Sequence, residues 1–269
     1  MKSLRRLALS SLLCSSVLAS AACGGSNATF SSMDAEVAAD STDTADVVSG
    51  LTSVTTDGVD LSASGLTSDQ AATAAATAAG TKFLINACMT KNVVGNVATY
   101  TLNSCTGPYG LLLVTGTLTA TYTVSVVGGT PSVTVNLAAT GIKVNGMTVD
   151  VATTAKISGP TNNRSASVTS TSKAVTARGN TITHAGMYDA TWDGMCMTLT
   201  GSFSTQTPGN SYATVISNYK KCQNACPTQG TVIFTTLANT LTITYSGGKT
   251  AKLVLNGGKE QTLGLLCQG

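Results

Sequence analysis

Val114 to Val126, which reads VTGTLTATYTVSV, is the stretch that decides the fold. Its even-numbered positions are apolar or small, and its odd-numbered positions are all Thr or Ser. Successive side chains of a β-strand point to opposite faces of the sheet. The pattern therefore predicts one long strand with an apolar face and a hydroxyl face, and we expect the strands that follow to lie beside it.

Turn signals interrupt the chain at short intervals between residues 81 and 269 and predict about ten to twelve strands. Four of these signals are the dipeptides Gly95-Asn96, Asn145-Gly146, Asp193-Gly194 and Pro208-Gly209. The spacing predicts an all-β domain, an antiparallel meander that forms either a sandwich or a barrel-like curved sheet.

Two hairpin registers follow from these turns. A loop over residues 128–131 would place Val126 opposite Val133, and a tight Asp-Gly turn would place Trp192 opposite Met195. Both registers keep the apolar residues of the two paired strands on one face of the sheet.

The strand after the first of these loops changes phase. Its apolar positions are odd-numbered from Val133 to Ala139 and even-numbered at Ile142 and Val144. One extra residue in this strand would restore the alternation, so we expect a β-bulge at Thr140-Gly141.

The segment that precedes the strands divides in two. Residues 23–66 are acidic and rich in Ser, Thr and Ala, with few large apolar side chains, so we expect a disordered tether. Residues 67–80 predict one short Ala-rich helix, because Thr67 and Gln70 fit a capping box and Gly80 is placed to end it. The β domain then covers residues 81–269.

Residues 1–22 have the pattern of a secretory signal. A basic start is followed by an apolar run over residues 7–18 and by small residues before Cys23. The apolar run is too short to span a membrane, so we expect the segment to be removed when the chain is exported.

The end of this signal, Ser20-Ala21-Ala22-Cys23, resembles the lipobox of bacterial lipoproteins, with Ser20 where the family usually has Leu. The resemblance covers only the signal. It implies that Cys23 becomes the lipid-modified first residue of the mature chain. In that family an Asp after the cysteine retains the protein in the inner membrane, so Gly24 implies the outer membrane.

The number of cysteines supports lipid attachment independently. Of the 8 cysteines, Cys14 is lost with the signal and Cys23 would carry lipid, which leaves an even set: Cys88, Cys105, Cys196, Cys222, Cys226 and Cys267. An even set in an exported chain predicts a disulfide framework, whereas an unmodified Cys23 would add an unpaired thiol.

Hairpin geometry favours one pairing of these cysteines. Cys88 lies nearly opposite Cys105 around the Gly-Asn turn. Cys196 lies one position from Cys222 around the Pro-Gly turn, so that this pair requires a local bulge. Cys226 and Cys267 remain for each other.

The formal net charge of +3 hides a division along the chain. Residues 24–80 contain acidic side chains and no Lys or Arg, whereas Lys and Arg outnumber Asp and Glu from residue 81 onward. This division suggests an anionic partner, or an acidic segment folded back on the basic domain, and simple solvation of both explains it equally well. Nucleic acid is disfavoured because the chain is exported and its basic residues are dispersed.

Tyr219, Lys220 and Lys221 are the candidate ligand-binding residues. A cation beside an aromatic ring suits an anionic sugar or a lipid headgroup. An ordinary protein surface shows the same combination, so the pattern alone leaves both interpretations open.

Catalytic candidates are few. His184 is the only histidine, and the predicted pairing puts it on the apolar face with Tyr188 and Phe203, which favours a core residue. Ser170 and Ser217 each stand three residues before a lysine, a spacing that serine acyl-transferases use on helices. On a strand the two side chains point to opposite faces, so we expect no catalytic residue.

Metal binding is disfavoured as well. Cys222 and Cys226 are spaced like metal ligands, but zinc requires further thiolates or imidazoles, and cysteines of exported proteins form disulfides. The acidic run at Asp40, Asp43 and Asp46 lacks the glycine and the terminal glutamate of a calcium loop. We expect neither a metal nor a cofactor.

Three hypotheses about function follow. The favoured one is a cell-envelope protein with a non-catalytic binding or structural role, anchored to the outer membrane through lipid on Cys23 and facing an anionic polymer or lipid. The second is a carrier that holds a hydrophobic or anionic ligand inside the curved sheet, in a hollow lined by Tyr122, Leu137, Leu199 and Phe203. The third is an envelope hydrolase that uses His184 or a serine.

Mass spectrometry of the intact mature protein tests the anchor and the disulfides together. We expect a lipid increment on Cys23 and a gain of about six protons on reduction. A mature chain without lipid, or with free thiols before reduction, would contradict the argument from the number of cysteines.

Overall fold

The computed structural model of the chain describes residues 47–48, 50–56, 58–62, 65–83, 86–107, 113–127, 129–160, 163–176, 179–193, 196–222 and 226–264. The predicted signal, the lipid-attachment residue Cys23 and the predicted tether up to residue 46 lie outside these ranges.

The strands form one antiparallel sheet in which each strand pairs with the next one along the chain. The 13 strands are β1 (Met89–Val94), β2 (Val97–Thr106), β3 (Leu113–Val127), β4 (Thr130–Val144), β5 (Met147–Ser158), β6 (Arg164–Val175), β7 (Thr181–Trp192), β8 (Cys196–Thr207), β9 (Asn210–Cys222), β10 (Gln229–Thr235), β11 (Thr240–Tyr245), β12 (Thr250–Leu255) and β13 (Gln261–Gly264). The predicted all-β meander is confirmed. The sheet is open, because β1 and β13 are its two edges.

One face of this sheet carries the buried apolar side chains, and we call it the inner face. Directly paired residues share a face, so the inner face can be followed from strand to strand. One row across it, from β3 to β12, consists of Tyr122, Val135, Ala155, Val168, Tyr188, Gly201, Ile216, Val232, Ile243 and Leu253. The alternation in β3 therefore sets the orientation of the whole sheet.

Three predicted hairpin turns are confirmed. Val94 pairs with Val97, Val144 with Met147, and Thr207 with Asn210. At the middle turn Asn145 and Gly146 have φ values of 48° and 84°. Positive φ at both central residues is typical of the type I′ turn, which explains the Asn-Gly sequence.

Two predicted registers are wrong by two residues. Val124, rather than Val126, pairs with Val133, and Trp192 pairs with Met197 rather than Met195. A shift of two residues keeps every side chain on its own face, so the apolar pattern cannot distinguish these registers. The length of the turn decides between them.

The predicted β-bulge in β4 is confirmed. The pairing of β4 with β5 shifts between Ala139 and Ile142, and Gly141 has a φ of 63°. A second bulge lies in β9, where Asn218 has a φ of 49° and the pairing with β8 shifts beside Thr200. This second bulge supplies the local shift that the sequence required for one disulfide.

Two of the three predicted disulfides are confirmed. Cys88 is bonded to Cys105, with Cα atoms 5.2 Å apart, and Cys196 is bonded to Cys222, with Cα atoms 3.9 Å apart. Cys226 is also disulfide-bonded. Cys267, the partner predicted for Cys226, lies outside the described residues.

The predicted Ala-rich helix is present as α2 (Ser68–Ala79), and short 3₁₀ turns follow at Gly80–Lys82 and Asn86–Cys88. Thr67 and Gln70 form the capping box, and Gly80 caps the end. The helix buries its alanines against β1, β2 and β3. This docking explains how a helix without a wide apolar stripe is stable.

The predicted tether is too long, because its second half folds. Residues 47–48 and 50–56 form a helix, α1, and Val47, Leu51 and Val54 are buried in the main core. These residues recur at helical spacing, and the low average hydrophobicity of the segment conceals that stripe. The Tyr122 hydroxyl donates to the carbonyl of Thr55 over 2.7 Å, which places this segment on the inner face.

The turn that follows α1 in the chain lies close to α2. Gly58 has a φ of 86°, and a Cβ atom there would collide with Ala78 of α2. Glycine is therefore required at this position both for its backbone conformation and for space.

None of the helices within the described ranges is long and apolar enough to cross a membrane.

Most of the buried apolar residues in the described ranges belong to one of two clusters. The larger one joins α1 and α2 to the inner face of β1 to β7, and it ends at Ala174 and Ile182. The smaller one lies on β10, β11 and β12 around Val232, Ile243 and Leu253. The described helices thus fill one half of the inner face, and the other half has a separate core.

Leu51 tests whether α1 belongs to the domain. Replacing the fully buried Leu51 (0% exposed) with Ala should lower the free energy of unfolding by about 2–5 kcal/mol, because it leaves a cavity. Leu237→Ala, at a position that is 82% exposed, is the matched control and should change it by less than about 0.5 kcal/mol. Urea unfolding measures both values, and equal effects would show that α1 does not contribute to the core.

Candidate ligand-binding face

Buried polar side chains cluster on the inner face between β5 and β8. Thr153 pairs directly with Ser170, Ser172 pairs with His184, and His184 pairs with Thr205. All five side chains are buried. We call this group the His184 cluster, and it lies between the two apolar clusters.

Four polar atoms of the His184 cluster have no hydrogen-bond partner among the residues that the structure describes. They are Thr153 Oγ1, Ser170 Oγ, Ser172 Oγ and His184 Nε2. A buried polar atom without a partner costs about 1–3 kcal/mol. Four of them are a considerable cost beside the roughly 5–15 kcal/mol that stabilises a typical domain. Unpaired groups in such number call for an explanation, and a bound polar molecule is one.

His184 is held in place from two sides. Its Nδ1 atom lies 2.9 Å from the hydroxyl oxygen of Thr205, and its ring stacks on Phe203 with centroids 5.4 Å apart. Burial lowers the pKa of His184 to about 4, so the imidazole is neutral at ordinary pH. In a Ser-His-Asp triad a carboxylate holds Nδ1, whereas here a threonine hydroxyl does so.

Two aromatic rings beside the cluster cover glycines of the neighbouring strand. Phe203 pairs with Gly186 and Tyr188 with Gly201, and a Cβ atom on either glycine would collide with the aromatic residue. The two rings lie 6.0 Å apart. Glycine inside a strand is the signal in the sequence for this close approach, and the incorrect hairpin register concealed it.

The three predicted ligand-binding residues lie on two different faces of the sheet. Tyr219 pairs with Leu199 and Lys221 with Met197, so both belong to the inner face. Lys220 points to the opposite face, where its Nζ atom lies 3.6 Å from Asp193 Oδ2. The strand alternation of β9 separates the two lysines.

Partial burial shifts the pKa values of both Tyr219 and Lys221. Burial raises the pKa of Tyr219 to about 12, and the ring meets Tyr245 edge to face with centroids 5.2 Å apart. Burial also lowers the pKa of Lys221. A lysine ammonium group in such surroundings gains from a bound anion, because the anion restores the interactions that burial removes.

The predicted hollow is filled at one end. Tyr122 is fully buried, its hydroxyl lies 3.1 Å from that of Tyr100, and both rings contribute to the core around α1. Leu137 and Leu199 are buried, whereas Phe203 is half-buried. The space near Tyr122 that was predicted to hold a ligand is therefore occupied by α1, a helix that the composition of the segment conceals.

The bulge at Asn218 puts Ser217 and Lys220 on the same face of β9, opposite the inner face, contrary to the expectation for a regular strand. The other Ser-x-x-Lys spacing behaves as expected. Ser170 is buried on the inner face and Lys173 is exposed, so the Ser-x-x-Lys spacing separates its two members as expected for a strand. In the part of the chain that the structure describes, no three His, Cys, Asp or Glu side chains come together as metal ligands.

Comparison of the chain with protein-family models, curated proteins and solved structures finds no match. The function has to be argued from the inner face itself.

His184 should make stability depend on pH. Above about pH 6.5 the imidazole is neutral in both folded and unfolded protein and has no effect. As the pH falls from about 6.5 to about 4, only the unfolded state takes up the proton. The free energy of unfolding therefore decreases, by about 3 kcal/mol over the whole range. Urea unfolding at about pH 7 and about pH 4.5 should show a smaller fall for His184→Gln than for the natural protein.

The pKa of His184 can also be measured directly. The chain has 1 histidine, so a single imidazole resonance reports its pKa by NMR. A pKa near that of a free imidazole would contradict the buried, neutral His184.

Proposed function

We propose that the protein is an exported, lipid-anchored envelope protein whose inner face binds an amphiphile without catalysing a reaction on it. The observation that carries this proposal is a set of aromatic and aliphatic inner-face side chains that remain only half-buried: Tyr188, Phe203, Ile216, Tyr219, Phe234 and Leu241. They follow one another from β7 to β11.

This half of the sheet differs from the half that the helices fill. From β3 to β5 the inner-face side chains, such as Val135 and Val149, are almost completely buried and belong to the cluster that includes α1 and α2. A contiguous, partly exposed apolar surface on a soluble domain is typical of a binding site for an apolar partner. An acyl chain suits such a face because it needs no hydrogen bonds.

Basic side chains stand at one end of the same face. Arg164, Trp192, Met197 and Lys221 form one row across β6 to β9. Three strand spacings of about 4.8 Å put the two basic residues about 14 Å apart. Arg164 donates from Nη2 to the carbonyl of Val59 over 2.7 Å. Lys221 remains as the cation best placed for an anionic headgroup.

The N-terminal features support the same proposal. Lipid on Cys23 would hold the domain at a membrane, and residues 24–46 would separate the two. A protein in that position meets acyl lipids, and its inner face offers them an apolar surface with a basic end. Lys220, which faces the other way, has no part in the proposed site.

Binding of oleate by the mature protein, stripped of co-purified lipid, tests the proposal. Displacement of a fluorescent fatty acid should show oleate binding, and Lys221→Met should weaken it by about tenfold because it removes the cation beside the carboxylate. Lys220→Met is the matched control. It removes the neighbouring lysine on the opposite face, together with an exposed ion pair of little value, and should leave oleate binding unchanged.

Two results would contradict the proposal. One is a natural protein that does not bind oleate at all. The other is an equal loss of affinity in both lysine variants, which would mean that general charge and not the inner face attracts the anion.

A further inference from the structure

We propose that the His184 cluster is a subsite for the uncharged polar part of the amphiphile, namely the hydroxyl and ester groups of a glycerol-type head. This inference rests on the proposed function and names a second contact within the same face. It assigns a role to buried polar groups that the fold itself leaves without partners.

The strand pairing places the unpartnered side chains within the span of one small group. Ser170 stands beside Thr153, and Ser172 stands beside His184. Directly paired residues have Cβ atoms about 4.5–5.5 Å apart, and residues two apart on one strand lie about 7 Å apart. A glycerol head presents several oxygens over a similar span.

The chemistry of the cluster favours an uncharged guest. Its members are hydroxyl groups and an imidazole that burial keeps neutral. Hydroxyl groups donate and accept hydrogen bonds, so they match both the hydroxyl and the ester oxygens of such a head. A carboxylate or phosphate would lose its hydration without gaining an opposite charge, and that exchange is unfavourable.

The cluster is a polar island within an apolar face. Thr153 pairs on its other side with Leu137, and Ser172 pairs with Val151. The half-buried rings of Phe203 and Tyr188 lie next along the sheet. A polar group that enters this island therefore stays attached to an apolar chain, which is the arrangement found in an acylated glycerol.

The two polar ends of the face are well separated. Thr205 in the cluster and Met197, which pairs with Lys221, are eight residues apart on β8, a distance of about 26 Å. Charged and uncharged headgroups would therefore contact different residues. Each contact can be tested without disturbing the other.

The test compares two acyl ligands, uncharged monoolein and anionic oleate, on the mature protein stripped of co-purified lipid. Ser170→Ala together with Ser172→Ala should weaken monoolein binding by about tenfold and leave oleate binding nearly unchanged. The same variant should raise the melting temperature of the ligand-free protein, because it removes buried hydroxyl groups without partners. Such opposite effects on binding and stability distinguish a binding role from a structural one.

Ser167→Ala together with Thr171→Ala is the matched control, because these residues lie on the exposed face of the same strand. Both affinities and the melting temperature should then be close to those of the natural protein. Thr153→Val is a second inner-face variant, which removes one unpartnered hydroxyl while keeping the branched shape, and it should also weaken monoolein binding.

Three outcomes separate the proposals. Unchanged monoolein binding in the inner-face variants, with oleate bound as before, would overturn the subsite and leave the proposed function standing. A lower melting temperature of both variants with no selective loss of monoolein would also overturn it, since the hydroxyls would then have a structural role. If the natural protein binds monoolein but not oleate, the anionic end of the proposed function fails and the subsite stands.

Discussion

The sheet has one face of apolar side chains, and the fold depends on covering that face. A closed barrel covers its own interior, whereas the described strands of this meander end in two edges, β1 and β13. The protein covers the first half with chain that precedes the strands. Tyr122 and Arg164 donate to carbonyl groups at Thr55 and Val59, and these bonds connect the covering segment to β3 and β6.

The other half of the face is organised differently. It has its own small core on β10 to β12, half-buried aromatic rings, and buried polar atoms of Ser170, Ser172 and His184 that have no partner among the described residues. A domain selected only for stability would replace Ser170 and Ser172 with alanine or valine, as it does at the neighbouring buried positions Val168 and Ala174. Their presence is the strongest indication that this half of the face serves a purpose beyond folding.

One of the two described disulfides lies in each half of the sheet. The Cys88–Cys105 bond joins the 3₁₀ turn before β1 to β2, and the Cys196–Cys222 bond joins β8 to β9 and depends on the bulge at Asn218. Each bond stabilises the folded sheet mainly because it restricts the unfolded chain. Lys221 lies next to Cys222, so the same bond also limits the movement of the proposed basic end.

The sequence by itself determined the class of fold, the faces of the strands, the bulge at Gly141, the capped helix from Ser68 to Ala79 and two of the disulfides. These features depend on neighbouring residues, because alternation, turn dipeptides and capping boxes act over a few positions. Only the tertiary structure decided the register beside Val133 and Trp192, the helix around Leu51 and the pairing of His184 with Thr205. A shift of two residues leaves the alternation of apolar and polar positions unchanged. A short, weakly apolar segment is stable as a helix only when it packs against another element, which here is the sheet.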